Sequence, residues 1–206
     1  MLKKSKFYPI SGYYIERNRD VHVEYEENYW DEVVDPDGNK RKRGEERYRK
    51  LNDLKNELAY LNELQGGNIL DIGCGLGFAL SGLGPQWIKY GVEYSKYAGE
   101  VASEWGEIYI GTLENARYPD AKFDAILLYD VIEHVPKPEE LILEISRVLK
   151  PRGKLVIGTP DFDSACARRF GDNYRMYHDQ SHISLFSSYT MHKFLFDFGF
   201  EIEYVD

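Results

Sequence analysis

Apolar positions along this chain follow two rhythms. From Glu45 to Leu64 they recur in steps of three and four (Tyr48, Leu51, Leu54, Leu58, Leu61, Leu64), the stripe of one amphipathic helix that Gln65-Gly66-Gly67 ends. Short apolar runs come next: Ile69–Ile72, Tyr90–Glu93, Glu107–Ile110, Phe123–Asp130 and Lys154–Thr159. Each reads as a strand, Ile69–Ile72 as a short buried one and Phe123–Asp130, nearly all apolar, as a central parallel one. Helical stretches separate them. One starts near Gly77 and meets the breakers Gly82, Gly84 and Pro85; another runs over Lys96–Trp105. A third opens with Pro138-Glu-Glu, buries Leu141, Ile142, Ile145, Val148 and Leu149, and stops at Lys150-Pro-Arg-Gly.

Strands alternating with helices predict an α/β fold, a Rossmann-like doubly wound sheet, mainly parallel, with helices on both faces. Residues 1–66 read as an N-terminal cap segment and helix, and residues 67–206 as the core. The first 45 residues are rich in aromatics (Tyr8, Tyr13, Tyr14, Tyr25, Tyr29, Trp30), and Asp35-Pro-Asp-Gly38 is a turn signal. This segment is expected to cap the core, with Tyr29 and Trp30 lining a substrate entrance. The basic cluster Lys40–Arg43 reads as a solvated turn. Near the C-terminus a helix over Ser188–Phe198 ends at Gly199, and a strand is expected to start at Glu201–Val205.

The chemistry concentrates at Ile69-Leu-Asp-Ile-Gly-Cys-Gly-Leu-Gly77, where a strand stops abruptly at alternate glycines. Such a turn exposes bare backbone to a ligand. A dinucleotide fingerprint would place its third glycine where Phe78 stands. Asp71 just before the turn repels a diphosphate and favours a ligand carrying an ammonium group, which points to S-adenosylmethionine. Glu93 ends the second strand 22 residues beyond Asp71, the spacing at which an acid takes ribose hydroxyls in nucleotide-binding sheets. Ligands in these sheets bind at the carboxyl ends of the strands, and Asp71, Glu93, Thr112 and Asp130 fall there on four different strands.

The pattern D-x-G-x-G-x-G, together with Phe123-Asp…Glu133-His-Val-Pro…Leu149-Lys-Pro-Arg-Gly-Lys-Leu155, resembles the class I S-adenosylmethionine-dependent methyltransferases acting on small molecules, the group with ubiquinone-pathway and sugar O-methyltransferases. The stretch Asp161-Phe-Asp-Ser…His178-Asp-Gln-Ser-His-Ile-Ser-Leu-Phe-Ser187 is most similar to bacterial enzymes of surface-polysaccharide pathways. The resemblance implies methyl transfer to a hydroxyl of a sugar or polysaccharide precursor. It implies S-adenosylmethionine as cofactor, held by Asp71, Gly73, Gly75, Gly77, Glu93, Tyr94, Thr112, Leu113 and Asp130. The family usually carries Asp where Thr112 stands, so the adenine contact is weaker there.

A hydroxyl acceptor calls for a general base, and histidine suits neutral pH. Of five histidines, His134 follows Glu133 at the expected mouth of the site, and His178 and His182 lie beyond the fifth strand. His134 and His182 are the catalytic candidates, with a hydrogen-bonding role as the alternative for each. His22 and His192 read as unrelated. Asp130-x-x-Glu133-His134 with His182 also resembles the metal quartet of small-RNA 2′-O-methyltransferases, though no metal is assigned.

Composition sets the remaining bounds. The 206 residues are 43% hydrophobic and 30% charged, with net charge −9, which argues against nucleic acid as partner. No apolar run predicts a membrane span or signal, so the expected address is cytoplasmic. Cys74 and Cys166 are expected to be reduced. The family's seventh, antiparallel strand would follow where the sequence stops. Its expected absence leaves a sheet edge open to a homo-oligomer or partner chain. The alternative function is therefore a non-catalytic S-adenosylmethionine-binding subunit.

Overall fold

The apolar run Ile69–Ile72 lies inside the strand Gly67–Ile72, and a five-stranded sheet grows from it on both sides. Its order is Glu107–Ile110, Trp87–Glu93, Gly67–Ile72, Phe123–Tyr129, Leu149–Gly158. Pairing is parallel between the first three and between Gly67–Ile72 and Phe123–Tyr129, with Ile72 opposite Val92 and Leu128. Ile69, Leu70, Ile126, Leu127 and Leu128 are all but fully buried, and each such side chain contributes about 1.5–3 kcal/mol on burial. The computed structural model describes residues 8–9, 13–16, 27–30, 32–34 and 40–203. The turn signal Asp35–Gly38, Tyr25 and His22 fall outside the described residues.

Two units make up the chain, neither continuous in sequence. The first comprises Glu24–Tyr129 and Glu144–Ile157; the second comprises Met1–Val23, Asp130–Leu143 and Gly158–Asp206.

In the first unit, the helix expected over Glu45–Leu64 comes as two, Arg47–Asp53 and Lys55–Glu63, broken at Leu54. Leu54, Leu58 and Leu61 pack into one core with Ile69, Leu80 and Trp87, and the Trp87 indole donates to the Leu61 carbonyl at 3.2 Å. Tyr48 is 86% exposed, outside the stripe. The interruption is local, since Leu54 N–H still donates to the Lys50 carbonyl at 3.0 Å and Leu58 N–H to the Leu54 carbonyl at 2.9 Å. Lys40–Lys42 is a strand rather than a turn, paired antiparallel with Glu32–Val34. The helix Pro138–Val148 ends just before Lys150-Pro-Arg-Gly, as expected, but the next strand begins earlier than Lys154 and takes in that stretch. This strand, Leu149–Gly158, takes Arg152 at φ 65° in passing.

Three of the sheet's strands are fastened where they begin. Asp124 accepts from the Asn68 amide and from Lys150 Nζ, each at 2.8 Å. Burial raises the Asp124 carboxyl, but these two donors outweigh it and leave its pKa below the usual range. Gly67, at φ 125°, is where this carboxylate presses on the chain, and a Cβ there would overlap Asp124 Oδ2.

In the second unit, Ile15–Glu16 is the middle strand of a small antiparallel sheet, between Tyr8–Pro9 and Ser184–Leu185. Next to it Phe186 stacks with Tyr14 and Phe194 at 5.1 and 5.4 Å. The helix Ser188–Asp197 starts from a capping box of Ser187 and Thr190. The strand expected from Glu201 does not form over Glu201–Glu203, and Tyr204–Asp206 lie outside the described residues. Among the described residues no helix is long and apolar enough to cross a membrane.

Candidate functional site

The residues singled out by the sequence form two groups, one in each unit. In the first unit the strand carrying Asp71 runs into Gly73, Gly75 and Gly77, at φ 70°, 54° and 76°. All three occupy the left-handed region, where a side chain is strained. The turn is tied to the neighbouring strand by Gly73 and Cys74, whose N–H groups both donate to the Val92 carbonyl at 2.8 and 3.2 Å. It then closes on itself through Gly77 N–H to the Cys74 carbonyl at 2.9 Å.

Glu93 holds this turn from beneath. One of its oxygens accepts the Gly75 N–H and the other the Ser95 N–H, both at 2.8 Å. A carboxylate can accept about four hydrogen bonds, so Glu93 keeps acceptor capacity for a ligand's hydroxyl. Burial raises the Glu93 pKa, and the N–H groups of Ser95, Gly75 and Tyr94 offset part of that rise. Asp71 is 4% exposed. Burial pushes its carboxyl up to about 7; the Lys50 charge opposes the rise and Glu93 adds to it. Two buried acids side by side in need of a cation are an electrostatic fit for an ammonium group. The Cys74 thiol, buried beside them, is pushed up as well and stays a thiol; neither cysteine is bridged.

Other predicted contacts are less well placed. Tyr94 is 65% exposed. Thr112 caps the helix Leu113–Ala116, its hydroxyl accepting from Asn115 at 3.4 Å, which leaves it one further lone pair. Leu113 is buried. Trp30, expected at a substrate entrance, lies on the glycine turn: a Cβ on Gly75 would sit 3.1 Å from its ring. No local sequence signal announces that contact.

The second group gathers around Glu133. Asp130, directly after the strand Phe123–Tyr129, is exposed and sits at φ 57° with its N–H on the Gly158 carbonyl at 2.9 Å. A left-handed non-glycine residue is uncommon and clusters at functional sites. Ile132–His134 then makes one tight turn. Glu133 is 1% exposed, accepts the Thr159 hydroxyl at 2.8 Å, and takes the Ile183 N–H on its own carbonyl at 2.8 Å. Sequence reasoning gave Glu133 no role beyond the metal resemblance, and its burial between two loops could not be seen there.

His134 and His182 come together, rings 4.8 Å apart. His134 Nδ1 lies 3.0 Å from the Ser181 carbonyl, and His182 Nδ1 3.0 Å from the Met176 carbonyl. A carbonyl can only accept, so each Nδ1 carries a hydrogen, and in neutral His134 the lone pair is on Nε2; His182 Nε2 lies 3.8 Å from Asp179 Oδ2. Burial, then the His182 charge, lowers the His134 pKa, with the Ser181 carbonyl partly opposing. Neutral His134 is the base form at physiological pH. Phe162 stands edge-on to His182 at 5.9 Å, and Tyr177 and Tyr174 continue that aromatic wall. His178 is exposed at the end of the helix Arg175–His178, and His192 lies within the helix Ser188–Asp197; neither joins the pair.

Residues 43–205 match the family model described as "Methyltransferase domain". The chain is 34% identical over 125 residues to an uncharacterized protein of Methanocaldococcus jannaschii, covering 56% of this chain and 59% of that one. It is 32% identical over 108 residues to a ubiquinone biosynthesis O-methyltransferase of Alkalilimnicola ehrlichii, covering 48% and 44%. Both alignments span less than two thirds of the relative's own length. Among solved structures, a SAM-dependent methyltransferase from Thermotoga maritima superposes with TM-score 0.57 at 29% identity, over 75% of this chain and 77% of that one.

Proposed function

This chain belongs to the methyltransferase-domain family, and on that premise we propose that it moves the methyl group of S-adenosylmethionine to a hydroxyl of a small molecule, a sugar or polysaccharide precursor. One observation carries the reading: two buried carboxylates, Asp71 and Glu93, frame a turn of three left-handed glycines. A pyrophosphate would meet uncompensated negative charge there, whereas an amino-acid tail brings an ammonium group and a ribose brings paired hydroxyls. The cofactor supplies an electrophilic methyl group on a sulfonium. Asp71 balances the ammonium, Glu93 holds the ribose, and the glycines let the ligand lie on the backbone.

In this reading the acceptor's hydroxyl would give up its proton to His134 Nε2, neutral and bearing a lone pair, as the carbon–oxygen bond forms and the methyl–sulfur bond breaks, leaving the thioether. Transfer to oxygen is supported by the likeness to ubiquinone O-methyltransferases. The sugar is supported by the resemblance of Asp161–Ser187 to polysaccharide-pathway enzymes and by the aromatic wall of Phe162, Tyr174 and Tyr177, which suits a pyranose face. The test is calorimetry with S-adenosylmethionine, followed by methyl-labelled cofactor offered to nucleotide sugars, phenols and amines. Binding and label on a hydroxyl are expected. No binding at millimolar cofactor ends the reading.

Cofactor affinity is expected to depend on pH with a definite sign. Asp71 titrates at about 7 without ligand, and an ammonium group beside it favours the ionised form. Binding therefore releases a proton at and below that pH, and affinity rises as pH goes from 6 to 7. It falls again above about 8, where the ligand's α-amino group loses its charge. Asp71→Asn is expected to remove the lower limb, checked by calorimetry in buffers of different ionisation enthalpy.

A second reading keeps the reaction and changes the base. One donor atom from each of Glu133, His134 and His182 lies within 4.8 Å of the others, and both imidazoles are oriented by carbonyls in the way metal ligands are. These residues fit a divalent ion, which would lower the pKa of a bound hydroxyl. His134→Ala is expected to cut kcat by about 10²–10⁴-fold with the cofactor Kd unchanged under either reading. A chelator separates them: activity lost to EDTA and restored by zinc, manganese or magnesium favours the metal, and unaltered activity favours the histidine.

A further inference from the structure

We propose that Trp30 is a cofactor-binding residue, its indole N–H donating to an oxygen of the ligand seated on the glycine turn; this rests on the methyltransferase reading above. Two observations meet at this side chain. Its six-membered ring covers Gly75, approaching to 3.1 and 3.5 Å of where a Cβ would stand. Gly75 is the turn residue whose N–H is held by Glu93. At the same time Nε1 of Trp30 is buried and has no hydrogen-bond partner among the described residues.

An indole nitrogen is a donor only, and a buried tryptophan nearly always finds an acceptor. The comparison within this chain is direct: the indole N–H of buried Trp87 donates to Leu61, whereas the buried Nε1 of half-buried Trp30 has no such partner. Leaving the Trp30 N–H dry and unpaired is unfavourable, and a ligand acceptor there would remove that penalty. The helix Glu27–Trp30 carries the ring, and Tyr29 packs against it edge-on at 5.1 Å, which fixes its position over the turn. The ligand's ribose and carboxylate oxygens are the acceptors of the right chemistry, since Asp71 and Glu93 are themselves matched to its ammonium and hydroxyls.

The experiment uses the full chain labelled with ¹⁵N and titrated with S-adenosylhomocysteine. The indole signal of Trp30, identified by its loss in Trp30→Phe, is expected to move downfield and saturate with the ligand's Kd, while the Trp87 signal stays. Trp30→Phe keeps ring coverage and deletes the donor, so its Kd is expected to rise roughly tenfold. A saturable titration in which the Trp30 signal does not move, or an unchanged Kd in Trp30→Phe, overturns the proposal alone. Failure of the wild-type protein to bind removes the cofactor reading and this one with it. Should Trp30→Phe fail to fold, site-specific labelling of the wild-type tryptophans identifies the Trp30 signal, and its movement or stillness on titration decides the matter.

Discussion

Glu93→Ala is expected to weaken S-adenosylmethionine binding by about 10²–10⁴-fold, the largest loss for any single side chain of the glycine turn. A hydrogen bond to a charged acceptor is worth roughly 1.5–3 kcal/mol, and the ribose offers two. The substitution also reaches the free protein. Glu93 accepts from Gly75 and Ser95, and alanine would strand both donors beneath the turn at ~1–3 kcal/mol each. A lower melting temperature without ligand is therefore expected alongside the lost affinity. Glu93→Gln, with one acceptor oxygen left, should fall between. The decisive result is calorimetric. If Glu93→Ala melts early but still binds with wild-type affinity once saturated, the residue is scaffolding and the ribose is held elsewhere.

Gly77→Ala is expected to be the most destabilising of the turn substitutions, by about 2–5 kcal/mol. The left-handed conformation costs an alanine ~1–2 kcal/mol, and overpacking a dense site adds ~1–3. Here the new Cβ would stand 3.0 Å from the Ala102 Cα and 2.9 Å from Trp105. The first is backbone of the helix Lys96–Ala102 and has nowhere to go. For a chain of this size the loss corresponds to roughly 4–20 °C in Tm. Two other glycines separate the contributions. Gly75→Ala meets only the Trp30 side chain, and Gly171→Ala, at φ 51°, meets nothing within 4 Å. The expected order in a thermal melt is Gly77, then Gly75, then Gly171; a Gly77→Ala protein as stable as wild type would refute the close-packing account.

What could be read from residues alone was whatever depends on neighbours in sequence. The strand at Ile69–Ile72, its glycine turn and the acid at Glu93 follow from local composition and from the near-constant length of a strand-helix-strand unit. The same logic placed Glu107–Ile110 to the residue. Errors arose where a distant partner decides the conformation. Lys40–Lys42 looks like a polar turn until Glu32–Val34 pairs with it. Ser184–Leu185 has no strand signal of its own and is recruited by Ile15–Glu16 from the other end of the sequence. Lys150-Pro-Arg-Gly does stop the helix, but the strand expected from Lys154 already begins at Leu149, where Lys150 reaches Asp124. The site divides in the same way. Asp71 and Glu93 were legible, while the burial of Glu133 and the seating of Trp30 on Gly75 are properties of the folded chain.

The Asp124 clamp gathers three strands at their amino ends, through Asn68, Lys150 and the bare backbone of Gly67. Gly73, Asp130 and Thr159 follow the other ends of those strands. The clamp and the loops after these strands thus occupy opposite rims, so substitutions in those loops are expected to leave the hydrogen bonds of Asp124 intact.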